Sequence, residues 1–180
     1  MAIVFKQMKR SYLIILLLYS SVVFSQKDYS DFIVTQKRDT IFGIFKDKNH
    51  FLSKSSIKYR IRPTKIISYR KDSEYFYKKR IPSIGFPGKT TQFLKLVYNG
   101  NKGSLYTYEF YLPSMGNTYI DKKETYYYIE MDGKLKYIRS DRFRKIMITL
   151  FKDNGKLVEM LKNRKFALGN ILELVKQYNE

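Results

Sequence analysis

Three glutamates, Glu109, Glu124 and Glu130, stand among tyrosines in a stretch of alternating residue types. Glycoside hydrolysis asks of a site little more than two carboxylates about 5 to 9.5 Å apart, and neighbouring tyrosine rings would stack on a sugar. That pattern makes a carbohydrate-active hydrolase using Glu109 or Glu130 the enzymatic alternative. A plainer account competes with it: acids that alternate with tyrosine on a strand form the solvent-facing half of the pleat. Spacing singles out no pair, so a non-enzymatic protein is the first expectation.

Other catalytic machinery lacks its parts. Gly85-Phe-Pro-Gly88-Lys89-Thr90 looks like the end of a phosphate-binding loop, but Ser83 stands where the first glycine belongs. Pro87 also removes an N–H from the would-be cradle. His50 is the one histidine and there is no cysteine, which leaves zinc without its usual ligands and defeats Ser-His-Asp and Cys-His catalysis. His50 itself reads as part of a solvated turn, Asp47-Lys-Asn-His50. No metal and no cofactor is expected.

Binding chemistry has better material. Ile57-Lys-Tyr-Arg-Ile-Arg62 alternates strictly, which on a strand places Ile57, Tyr59 and Ile61 on one face and the cations Lys58, Arg60 and Arg62 on the other. Tyrosines cluster at Tyr106, Tyr108 and Tyr111 and again at Tyr126-Tyr127-Tyr128. Three in a row send aromatic rings to both sheet faces, so at least one of the last three is expected on an outer face. Cations beside stacking rings suit an anionic polymer; cross-strand aromatic pairs that only stabilise the sheet are the commoner use of such residues. The expected binding residues are Lys58, Arg60 and Arg62, with Tyr106, Tyr108, Tyr126 and Tyr128 nearby.

The elements that must position these residues fall into two regions, β-rich from 31 to 139 and helical from 140 to 180. Asp31–Gln36 and Thr40–Lys46 read as a hairpin across Lys37-Arg38-Asp39. Strands follow at 57–62, 65–69, 74–78, 91–98, 104–112, 125–131 and 134–138, with Asn99–Gly103 and Asp132-Gly133 as hairpin turns. Residues 81–90 form a proline-glycine loop. Ser140 is placed to cap a helix, after which Phe143, Ile146, Met147, Leu150 and Phe151 repeat at helical spacing. A turn at Asp153-Asn-Gly155 leads to a helix with Leu157, Val158 and Leu161. A last helix from about Gly169 presents Ile171, Leu174, Val175 and Tyr178. Such stripes need a partner surface. The expected fold is α+β, an antiparallel sheet of about seven to nine strands closed on one side by three short C-terminal helices.

The chain carries 35 Lys plus Arg against 16 Asp plus Glu, a formal net charge of +19. Residues 1–25 read as a cleavable secretory signal: Lys6, Lys9 and Arg10 precede an apolar run of about 14 residues, short of the roughly 20 that span a membrane. Cleavage after Ser25 leaves residues 26–180 as one domain of net charge +16, without a transmembrane span, in the periplasm or outside the cell. A cationic exported domain attracts polyanions. Anionic polysaccharide, lipopolysaccharide or another envelope protein are the expected partners, and nucleic acid is not expected in vivo.

The order of short motifs adds one further expectation. Asp31-Phe-Ile-Val-Thr, then Asp39-Thr-Ile-Phe-Gly43, then Phe93-Leu-Lys with a glycine turn and Leu105-Tyr, and lastly Leu174-Val-Lys-Gln-Tyr178-Asn179 resemble a family of uncharacterised secreted proteins common in Bacteroidota. The resemblance spans most of residues 26–180 and supports an envelope address through Phe24-Ser25-Gln26. It departs from the family at Lys37-Arg38, where Asn-Gly is frequent, and at Asp153-Asn154-Gly155, where a cysteine-containing step is usual. The resemblance brings no activity and no binding site with it.

Overall fold

In the computed structural model, residues 30–83, 87–112 and 122–180 are described. Residues 1–25, where the leader is expected, and Gly85 lie outside them, as does the side chain of Tyr111. The fold is α+β: ten antiparallel strands form one sheet, and three helices pack on it. The strands are β1 (Asp31–Thr35), β2 (Thr40–Phe45), β3 (His50–Ser53), β4 (Lys58–Arg60), β5 (Ile66–Lys71), β6 (Glu74–Pro82), β7 (Lys89–Asn99), β8 (Ser104–Leu112), β9 (Lys122–Met131) and β10 (Lys134–Ile138). Their spatial order is β10-β9-β8-β7-β6-β5-β1-β2-β3-β4. The helices are α1 (Phe143–Leu150), α2 (Gly155–Lys162) and α3 (Ile171–Asn179).

Turn chemistry explains the pairing. Asp132 and Gly133 both take positive φ, 50° and 70°, the two-residue hairpin geometry whose twist matches the strands. Asp72 and Ser73 do the same between β5 and β6 without a glycine, at 51° and 67°. Gly43 is required for another reason. A Cβ there would stand 2.0 Å from the backbone oxygen of Leu52, so only a bare backbone lets β2 and β3 close with Phe51 over them.

Register carries one face across most of the sheet. Ile33 pairs with Tyr69, Tyr69 with Phe76, Phe76 with Lys95, Lys95 with Thr107, Thr107 with Tyr127 and Tyr127 with Ile138, and directly paired residues share a face. At one end of this face Leu105, Ile129 and Ile138 meet the helical stripe Phe143, Met147, Phe151, Leu157, Leu161, Leu174 and Val175, all buried. At the other end β1 to β5 wrap around Ile33, Phe51, Ile61 and Ile66. The chain from Arg60 to Ile66 crosses four strand positions, about 19 Å in a flat sheet. Six residues reach about 20 Å only when fully extended, and these fold into a turn, the N–H groups of Lys65 and Ile66 donating to the Arg62 carbonyl at 2.9 Å, so β1 to β5 must curl for the connection to close.

Among the described residues the opposite face has no helix. There Ile81, Leu94, Tyr106 and Tyr128 are buried with Tyr77, Leu96, Tyr108, Tyr126, Leu135 and Tyr137 packed around them. The sheet covers this cluster by bending on itself. Lys79 on β6 reaches Glu130 on β9 at 2.6 Å, although strands three positions apart lie about 14 Å apart when flat.

Several expectations need correction. The described residues form one strand more than the upper expectation, because His50 opens β3 instead of sitting in the turn, which is Asp47–Asn49; Asp47 accepts from the N–H groups of Asn49 and His50 at 2.7 and 3.0 Å. The strand expected at 57–62 shrinks to Lys58–Arg60. Ile57 precedes it in a loop and is 53% exposed, its N–H donated to Ser53 Oγ at 3.0 Å, so it is no core residue. Ser140 does not cap a helix. It starts a 3-10 turn, Ser140–Arg142, and no side chain caps that turn or α1. Asn154 is a cap, accepting from the Leu157 N–H at 3.2 Å at the start of α2. The last helix begins at Ile171, with Leu168–Asn170 as a 3-10 lead-in.

The C-terminal Tyr178-Asn179 holds the helices to the sheet. Tyr178 stacks on Phe151 with ring centroids 4.1 Å apart, and its hydroxyl donates to Asp153 at 2.9 Å. Asn179 Oδ1 accepts from the N–H groups of Lys102 and Gly103 at 2.8 and 3.1 Å, and its Nδ2 donates to the carbonyls of Gly103 and Val175. Gly100 makes room for it, since a Cβ there would stand 2.1 Å from Asn179 Oδ1. We expect Asn179→Ala to cost about 2 to 3 kcal/mol, because it strands the N–H and carbonyl of the buried Gly103. Urea unfolding checks this. Gly100→Ala should be costly in the wild type and nearly free in the Asn179→Ala background, because the two residues share one close approach and their effects are not additive.

Candidate anion-binding cleft

The residues expected to bind are not brought together. Lys58 and Arg60 lie on β4, at one extreme of the sheet, and Arg62 follows in the connection to β5; all three are exposed. Tyr106 and Tyr108 on β8 and Tyr126 and Tyr128 on β9 belong to the other end. These four tyrosines form no outer platform either. Even-numbered residues of β8 and β9 share the concave face through the pairs Tyr106 to Tyr128 and Tyr108 to Tyr126. Tyr127 turns to the helix face and packs in that core. Tyr128 is only 2% exposed, and it meets Tyr137 at 5.3 Å while Tyr77 meets Tyr106 at 6.3 Å. Their first role is cross-strand packing.

The three glutamates do not converge. Glu109 pairs with Thr125, so it lies on the helix face, while Glu130 pairs with Ser104 on the concave face. Glu124 and Glu130 share a face but stand six residues apart on one strand, about 20 Å, well beyond the span of a glycosidase pair. Glu130 is taken up inside the curl. Lys79 Nζ donates to both its oxygens, the Tyr106 hydroxyl donates to Oε2 at 2.9 Å, and the ammonium lies 4.8 Å from the Tyr106 ring centre. Glu109 pairs with Lys123 at 2.7 Å. It does share a depression of about 240 Å³ with Glu74, Tyr69, Phe76 and Phe93, but Glu74 is itself ion-paired with Lys95. Both acids are thus engaged by ammonium groups rather than presented to a substrate. Gly88-Lys89-Thr90 runs into strand β7, not into the helix that a phosphate loop needs. Among the described residues no three His, Asp or Glu side chains converge on a metal position, and no helix is long and apolar enough to cross a membrane.

What the structure assembles instead is a cleft of about 590 Å³ beside β10. Six cations line it: Arg80 and Lys89 from β6 and β7, Lys136 from β10, Arg139 just beyond it, Arg142 at the start of α1, and Lys145 within α1. Its floor is apolar and aromatic, made by Pro82, Tyr128, Leu135, Tyr137, Ile146 and Leu150. Residues 142, 145, 146, 149 and 150 all line it because three- and four-residue steps keep them on one helix face. Among the described residues no carboxylate lines the cleft. Asp141 stands beside it, gripped by Arg139 through two hydrogen bonds of 3.0 and 2.8 Å, and that guanidinium holds its carboxyl below the usual range. Among the described residues Arg80, Lys89, Lys136 and Lys145 have no ion-pair partner. An anion entering here meets uncompensated positive charge over a low-dielectric floor, where each interaction is stronger than on an open surface.

Sequence reasoning missed this site because its parts lie far apart in the chain and are brought together by the curl. The one available signal was the density of cations from Lys134 to Lys145 across the strand-to-helix junction. A second cluster was also missed: Phe42, 47% exposed, meets Phe32, which meets Tyr75, 39% exposed, with Arg70 5.7 Å from the Tyr75 ring.

Burial makes the tyrosines sensitive to base. Tyr69 is pushed up to about 12 by burial alone, and Tyr178 to about 12 by burial and then by its hydrogen bond to Asp153. Burial, followed by the bond to Glu130, raises Tyr106 further. A pKa raised on folding stabilises the native state fully below the unfolded value of 10 and ceases to do so as pH climbs through the folded value. Stability should therefore fall between pH 10 and 12. In an alkaline titration a large part of the tyrosinate absorbance should appear together with loss of near-ultraviolet circular dichroism. Ionisation of all tyrosines at pH 10 with the fold intact would contradict their placement. No family model, no curated protein and no solved structure matches this chain.

Proposed function

We propose that this chain is a non-catalytic binding module of the cell envelope or the secreted fraction, and that it takes an anionic partner at the cleft beside β10. One observation carries the reading: among the described residues six cations and no carboxylate line a cleft with an apolar floor. The formal net charge of +19 adds a long-range field that draws polyanions towards the surface. Acidic polysaccharide, the phosphorylated head of lipopolysaccharide and an acidic envelope protein share the required chemistry. The envelope address rests on the leader-like residues 1–25 and on the resemblance to secreted Bacteroidota proteins. Hydrolysis is the weaker reading, since the acids that share a depression, Glu74 and Glu109, are each held by a lysine.

Heparin-column retention against salt tests the proposal. The wild type should elute well above physiological salt, with a steep dependence that reports several released counterions. Replacing Arg139, Arg142 and Lys145 together by alanine should lower the slope by about three, roughly one for each cation removed. The same treatment of Lys58, Arg60 and Arg62 should change it far less. Equal losses from both triple variants would reduce the cleft to one part of a uniformly basic surface.

A further inference from the structure

Three consecutive residues of β10, Leu135, Lys136 and Tyr137, line the same cleft. Successive strand residues point to opposite faces, so a cavity confined to one face cannot touch all three. The cleft must lie against the edge of the strand. Among the described residues that edge is open: β10 ends the sheet with β9 as its one strand neighbour, and its backbone makes no hydrogen bond beyond that ladder. Across the gap stand Arg80 and Pro82 at the end of β6. The curl of β6 to β10 thus leaves a seam with a row of unpaired backbone donors and acceptors on one side.

We infer that the partner is a polypeptide: an extended acidic segment that adds to β10 as an eleventh strand. This rests on the reading of the cleft as the binding site and names what occupies it. Main-chain pairing with an exposed strand edge supplies affinity, and side-chain pockets on alternate positions supply specificity. The two sides of the edge differ. Lys134 and Lys136 point to the helix face, where Arg142 and Lys145 also line the cleft, while Leu135 and Tyr137 point to the concave face beside Tyr128. A strand laid along β10 would place alternate residues against cations and against apolar rings. The matching sequence alternates acidic and apolar residues with period two. Lysines on an edge also guard against self-pairing. The other open edge of this chain, β4, offers Lys58 and Arg60, so a second copy meets like charge whereas an acidic strand meets its complement. β4 is too short to compete, at three residues.

The test is calorimetric titration of the full-length protein with the capped heptapeptide Asp-Val-Glu-Val-Asp-Val-Glu and two N-methylated forms, with heparin as a separate arm. In a strand, successive N–H groups point to opposite edges, so methylating odd positions blocks one edge of the peptide and methylating even positions blocks the other. Strand addition predicts that the parent binds, that one methylated form binds about tenfold more weakly or worse, and that the other binds like the parent. Equal affinity of all three peptides would show attraction by charge alone and overturn the inference while leaving the cleft as an anion site. Heparin binding without peptide binding would do the same. Failure of both heparin and peptide would overturn the proposed function and this inference with it.

Discussion

The governing constraint is that this sheet has apolar residues on both faces over β6 to β10 and, among the described residues, helices for only one of them. Leu105, Ile129 and Ile138 are covered by α1, α2 and α3. Ile81, Leu94, Tyr106 and Tyr128, on the reverse of the same strands, are buried with no helix of the described residues above them. Burial of one such side chain is worth about 1.5 to 3 kcal/mol, so leaving the reverse face open would forfeit a large part of the stability of a small domain. Bending the strands around that face is the remaining solution, and Lys79 meeting Glu130 shows how far the bend goes.

The site follows from incomplete closure. A barrel has no edges, but an open curl keeps them, and here β10 ends facing the end of β6 across a gap instead of pairing with it. Residues remote in sequence, Arg80, Lys89, Lys136 and Arg142, become neighbours around that gap. The same curl keeps the candidate carboxylates from pairing: it draws Glu130 inward to Lys79 and Tyr106, and the pleat sends Glu109 to the other face. A stretch of chain rich in acids and tyrosines therefore becomes a packed interior with a basic mouth.

The fold class was legible because it is written in local signals. Period-two runs, the turns at Asp132-Gly133 and Asn99–Gly103, and the i, i+3, i+4 stripe from Phe143 to Phe151 each report their element without reference to the rest of the chain. β3 escaped because His50-Phe-Leu-Ser is short and its polar approach reads as a loop. The site was barely legible. Alternation at Lys58 and Arg60 marks a strand with a cationic side, Arg62 falling in the connection beyond it, but says nothing about where that strand sits in the sheet, and strand order puts it at the end away from the tyrosines. Three consecutive tyrosines, Tyr126 to Tyr128, predict a ring on an outer face, but Tyr127 packs against the helices and Tyr126 and Tyr128 lie inside the curl. The Lys79 to Glu130 pair and the Asn179 clamp join residues 51 and 76 positions apart, which no local pattern encodes.

The most direct measurement of the central claim is the map of backbone amide shifts as a short sulfated oligosaccharide is added to isotope-labelled protein. The account predicts changes concentrated at Leu135 to Lys145 and at Arg80 and Lys89, the two walls of the seam, with little at Lys58 to Arg62. Shifts centred on β4, or spread evenly over all lysines and arginines, would contradict a built anion site beside β10.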